Sequence, residues 1–105
     1  MNTIENNIEK MILSSFNDKN ASDIHLASEK KISIRLNGEI TQSDSIEINE
    51  KLIWTFIEKN LNEDEIKSLK TNGSIDFAVN IEDIRFRANA YQTINGISCV
   101  LRIIP

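Results

Sequence analysis

The chain has 105 residues, 40% of them hydrophobic and 27% charged, and a formal net charge of -4, which predicts one globular domain and leaves no length for a second. The negative balance argues against a nucleic-acid binder, which neutralises phosphates with surplus Lys and Arg, and against an anionic membrane surface as partner. Cys99 is the single cysteine, no basic-then-apolar leader opens the chain, and no run approaches the ~20 apolar residues of a membrane span, so a reduced protein of the cytoplasm is expected.

Ile4, Ile8, Met11, Ile12 and Phe16 fall at helical spacing and predict an amphipathic helix, with Asn2 as its cap and Glu5 reaching back to it. From Ser22 the period drops to two. Ile24 and Leu26 alternate with Asp23 and His25; after a polar break, Ile32, Ile34 and Leu36 alternate with Ser33, Arg35 and Asn37. Asn37-Gly38 predicts a tight hairpin returning through Glu39 to Gln42. Ile48, Leu52, Ile53, Phe56 and Ile57 restore the helical period as far as Leu61. Asn62, with Glu65 three residues on, predicts a second short helix, which Gly73 ends.

Strand patterning then resumes. Ile75, Phe77, Val79 and Ile81 alternate with polar residues up to a break at Glu82-Asp83. Beyond it, Arg85, Arg87, Asn89 and Tyr91 share one face and Ile84, Phe86, Ala88 and Ala90 the other. Asn95-Gly96 signals another hairpin, and Ile97, Cys99, Leu101 and Ile103 mark a last strand closed by Pro105. The sum is about six strands and three helices. Strands joined by tight turns are antiparallel, so the expected class is α+β. The chain ends on a strand with no polar tail, as expected of a chain cut at a domain boundary or of an incomplete protein.

The three glycines each fall in a turn or at a helix end, and no GxxxxGK[ST] loop exists to cradle phosphates. With one histidine and one cysteine, no single-chain zinc site is expected, and no residue is assigned a catalytic role. Three features remain. Asp23 and His25 share a strand face, either as a hydrogen-bonded pair that orients an imidazole or as an ordinary polar face. Arg85 and Arg87 sit about 6.5 to 7 Å apart along one strand face. They either grip an anion or pair with acids such as Asp76 or Glu82. Arg102, in an otherwise apolar strand, suits a buried or docking strand with one polar anchor. Cys99 reads as a small core residue and Trp54 as core or interface.

The strings Ala21-Ser22-Asp23-Ile24-His25-Leu26, Ile34-Arg35-Leu36-Asn37-Gly38-Glu39-Ile40, Asp76-Phe77-Ala78, Arg85-Phe86-Arg87-Ala88-Asn89-Ala90-Tyr91 and Val100-Leu101-Arg102-Ile103-Ile104-Pro105 occur in one order across nearly the whole chain. Together they resemble the N-terminal domain of the type II/type IV secretion ATPase superfamily. The single helix before the first string and the Arg-Ile-Ile-Pro ending resemble most the type IV pilus retraction (twitching motility) branch, PilT-type. The resemblance implies a PAS-like domain over residues 1–105, followed in the family by a RecA-like ATPase domain that this chain lacks. It further implies a homohexamer in which the domain packs on a neighbouring subunit's catalytic domain, at the cytoplasmic face of the inner membrane beneath the pilus platform. ATP and Mg would come with the missing domain, and nucleic acid is not an expected partner. Arg87 first and Arg85 second fall where the family directs arginines toward the nucleotide phosphates. Asp23, His25 and Arg102 match positions of structural or interface character. The alternatives are an assembly or type II secretion ATPase domain, and a stand-alone PAS-like module that binds a small ligand or a protein.

Overall fold

The structure, a computed structural model, describes residues 3–19, 21–36, 38–42 and 47–104. The expected cap Asn2, the turn residue Asn37, the closing Pro105 and the side chains of Ile4 and Glu5 lie outside the described residues. The elements run α1 (Thr3–Lys19), β1 (Asp23–Ala27), β2 (Ser33–Leu36), β3 (Glu39–Gln42), α2 (Glu50–Asn60), α3 (Glu63–Asn72), β4 (Ser74–Ile81), β5 (Ile84–Thr93) and β6 (Gly96–Ile103). This is the α+β arrangement that the alternation of periods predicts. No helix among the described residues is long and apolar enough to cross a membrane.

The strands form one sheet in the order β3-β2-β1-β6-β5-β4, every neighbouring pair antiparallel. The last strand, β6, inserts between β1 and β5, so both ends of the chain's strand sequence meet at the sheet centre. Pleating sends alternate side chains to opposite faces. On one face Ile24 stands opposite Leu101, Leu101 opposite Ala88, and Ala88 opposite Phe77. These residues join Ile8, Ile12 and Phe16 of α1, Ile53, Phe56 and Ile57 of α2, and Leu69 of α3 in a single buried core. The small residues Ala88, Ala90 and Cys99 line the middle of that face and let helices approach closely. The Phe16 and Phe86 rings pack there at 4.8 Å between centroids, an aromatic contact worth about 1 kcal/mol beyond the area it buries. Cys99 is fully buried, and loss of solvent pushes its thiol up to about 12, so it is the core residue expected.

Local signals set the boundaries. Asn62 and Glu65 form the predicted capping box, each side chain accepting the other's backbone N–H, at 2.9 and 2.8 Å. Gly73 ends α3 at φ 87°, a conformation that a Cβ disfavours. Ile48 differs from the helical reading of its spacing. Its N–H donates to the Lys30 carbonyl and its carbonyl accepts from Glu29, which holds it in an extended bridge. Asn49 then caps α2 by accepting the Leu52 N–H at 2.8 Å. Glu82-Asp83 is a two-residue turn with Glu82 at φ 54°, not a mere interruption. Trp54 is half-buried at the rim of the core, with Lys70 Nζ 5.6 Å from its ring centre.

Candidate functional site

All three helices lie on one side of the sheet, so the other face is open, and it carries all four arginines of the chain. The register arranges their strands into a row. Arg35 on β2 is opposite Asp23 on β1; Asp23 is opposite Arg102 on β6; Arg102 is opposite Arg87 on β5. Arg85 lies two residues before Arg87 on the same face of β5. A protein with a net negative charge thus concentrates positive charge on one surface.

Asp23 is the pivot of the row. Its Oδ1 accepts from Arg102 Nε at 2.7 Å, and its Oδ2 lies 3.3 Å from Arg35 Nε. The Asp23 side chain is 13% exposed, against 72% for Arg102 and 46% for Arg35. The anchored end of the network is therefore the carboxylate, and the arginines reach in to it from solvent. The hydrogen bond from Arg102, and then the charge of Asp23, raise the Arg102 pKa further above its ordinary value. The strand around Arg102 is mostly buried, as its apolar neighbours suggest, while the Arg102 side chain itself is exposed and bonded to Asp23. That side chain points to the open face because Leu101 and Cys99 take the core side.

Of the two readings of Asp23 and His25, the structure does not show the hydrogen-bonded pair. The two side chains share a face but bond elsewhere, because antiparallel neighbours bring better partners: Asp23 takes the arginines, and His25 Nε2 lies 2.6 Å from the Tyr91 hydroxyl. That bond crosses β6, where Tyr91 stands opposite the small Ser98 and His25 opposite Val100. Burial first, and then the charge of Lys30, lower the His25 pKa from its usual 6.5.

Arg85 and Arg87 are both exposed, and among the described residues neither guanidinium has an ion pair or hydrogen bond. Among the described residues, Asp76 makes no ion pair with Arg87. It sits opposite Asn89, and its Oδ1 accepts from Asn89 Nδ2 at 2.9 Å. Among the described residues, three depressions mark the face. One, of about 170 Å³, lies beside Asp23, His25, Arg35, Ile40 and Arg102; another, of about 150 Å³, lies between Arg87 and Arg102 over Val100 and Asn89; a third, of about 320 Å³, lies beside Arg87, Asp76 and Ile104. Sequence alternation locates Arg85 and Arg87 on the solvent side. It does not reveal the Asp23–Arg102 and His25–Tyr91 contacts, which depend on β6 lying between β1 and β5.

No protein-family model matches the sequence. The chain is 36% identical over 90 residues to the Escherichia coli (strain K12) protein named Uncharacterized protein YggR, a match over 82% of this chain and 26% of that protein. Among solved structures, it superposes on the pilus retraction motor PilT, crystallised with bound ADP, with a TM-score of 0.80 and 26% identity over 93% of this chain. The ATPase DotB of Legionella pneumophila gives 0.73 at 20% identity over 93% of the chain, and DotB of Yersinia pseudotuberculosis 0.75 at 19% over 96%. The chain spans only 29% of the PilT chain, 29% and 30% of the two DotB chains, and 26% of YggR. Its fold is that of the N-terminal domain of the PilT and DotB ATPases.

Proposed function

We propose that this domain is the N-terminal module of a secretion-superfamily ATPase of the pilus retraction type, and that its open sheet face serves the phosphates of a nucleotide held by an attached RecA-like domain. One observation carries the reading: Arg87, with Arg85 beside it, stands exposed and, among the described residues, without an ion pair on a paired strand of a domain shaped like part of PilT. An arginine held on a sheet is preoriented. It stabilises charge that develops on a transferring phosphoryl group without first reorganising solvent. PilT's own bound ADP supports a nucleotide as the ligand. In this reading ATP and Mg²⁺ are bound by the catalytic domain, and the present chain contributes guanidinium groups and a rigid lever. The working assembly is a hexamer at the cytoplasmic face of the inner membrane, coupling hydrolysis to pilus retraction.

A stand-alone small-ligand module is the weaker alternative. The sheet's helix side is filled by side chains, and the depressions of the open face, about 150, 170 and 320 Å³, lie below or at the low edge of the roughly 300 to 1,000 Å³ of typical small-molecule pockets. The coding sequence beyond residue 105 separates the two readings. A Gly-rich phosphate loop within a few tens of codons supports the motor module, and a stop codon directly after Pro105 supports the independent one.

A further inference from the structure

Three arginines and one aspartate share the cross-strand row, in the order Arg35, Asp23, Arg102, Arg87. Arg102 and Arg87 are direct partners on adjacent antiparallel strands, so their Cα atoms lie about 4.5 to 5.5 Å apart and both side chains leave the same face. Two guanidinium groups rooted that close repel each other unless an anion lies between them. Asp76 lines the depression between them and accepts from Asn89, and among the described residues it makes no ion pair with either arginine. Instead Arg102 turns to the far side and bonds Asp23 at 2.7 Å. The same carboxylate also faces Arg35, so it holds the two flanking cations at once.

We propose that Asp23 is a resident counter-anion that holds Arg102 away from Arg87, and that an incoming polyphosphate displaces it, drawing Arg102 into a two-arginine grip with Arg87. The inference rests on the reading of this face as the nucleotide-phosphate surface, and adds to it a positioning residue and a second phosphate ligand. The chemistry is an exchange of one charge-assisted hydrogen bond for another. Arg102 is well placed for it because its side chain is 72% exposed and free to swing, whereas Asp23, at 13%, stays fixed. Arg35 remains on Asp23 after the exchange, so the carboxylate is not left unpaired. The device keeps a cluster of like charges quiet in the empty domain and releases the second arginine only when a multiply charged anion is present.

The test is an NMR titration of the 105-residue chain with sodium tripolyphosphate at low, fixed ionic strength, following the Arg side-chain Nε–H signals. In the unaltered protein the Arg102 and Arg87 signals should move with one common midpoint. Asp23→Asn keeps the side chain's size while removing its charge. It should raise tripolyphosphate affinity about fivefold, as expected for removing a competing charge a few ångströms from the anion. Asp23→Asn combined with Arg102→Ala should lose that gain. Should Asp23→Asn leave affinity unchanged while Arg87→Ala lowers it, the counter-anion role is wrong and the phosphate surface stands. A gain that persists without Arg102 is a net-charge effect and also overturns the role. An Arg102 signal that stays still while Arg87 moves does so without any variant. Binding that is indifferent to Arg87→Ala removes the phosphate surface itself.

Discussion

Asp23 and Arg102 face each other across the centre of the sheet, the first strand against the last, with Oδ1 2.7 Å from Nε. Because Asp23 also faces Arg35, one carboxylate ties β2, β1 and β6 together on the side that no helix covers. Asp23→Ala leaves Arg35 and Arg102 without the carboxylate that both reach. The melting temperature should fall, and the deficit should shrink when NaCl is raised to about 1 M, where the Debye length is about 3 Å. A deficit insensitive to salt would assign the loss to packing.

The His25–Tyr91 contact gives a pH-dependent stability. Folding lowers the His25 pKa, so the unfolded chain takes up the proton first as pH falls. The stabilisation is complete above the unfolded value near 6.5 and is lost as pH drops from there toward the folded value. Urea unfolding at pH 7.5 and 5.5 should show a larger loss in the unaltered protein than in His25→Gln. Equal losses would mean that other groups govern this window. At pH 7.5, Tyr91→Phe should cost about 1 kcal/mol, the usual net worth of one hydrogen bond.

Neighbouring residues of β5 should behave in opposite ways, because the strand divides them between core and solvent. Phe86 is fully buried against Phe16, and Phe86→Ala should destabilise by about 3 to 5 kcal/mol. Arg87 is exposed and unpaired among the described residues, and Arg87→Ala should change stability by less than about 0.5 kcal/mol. Denaturant titration of the two variants checks both figures. A large loss at Arg87 would mark it as structural and weaken its functional assignment.

Most of this fold was legible in the sequence because its local signals agree. Apolar period, turn chemistry and caps coincide at Ile24, Gly73, Asn62 and Phe86, and each element forms where its residues predict. Ile48 shows where period alone misleads: it fits the stripe of α2, yet hydrogen bonds to Lys30 and Glu29 hold it extended. The site was legible one strand at a time. Alternation places Arg85 and Arg87, or Asp23 and His25, on a common face, but cannot say which strand lies alongside. The insertion of β6 between β1 and β5 is a long-range choice made by core packing. It decides that Asp23 meets Arg102 and His25 meets Tyr91 instead of each other. Arg102 looked like a lone polar residue in an apolar strand only because its partner is 79 residues away.

The chain itself carries no phosphate loop, so the purified 105-residue protein should hydrolyse no ATP above the buffer background. A phosphate-release assay with Mg²⁺ present checks this. Turnover that follows the protein through purification would overturn this expectation.

The central claim is that Arg87 acts on the phosphates of a nucleotide bound by another domain. Its most direct test is ATP hydrolysis by the protein in which this domain is joined to its catalytic domain, compared with and without Arg87→Ala, alongside ATP affinity. With Arg87→Ala, kcat should fall at least about 100-fold while affinity changes far less, as for an arginine whose interaction develops in the transition state. An unchanged kcat, or losses of equal size in kcat and affinity, would contradict it.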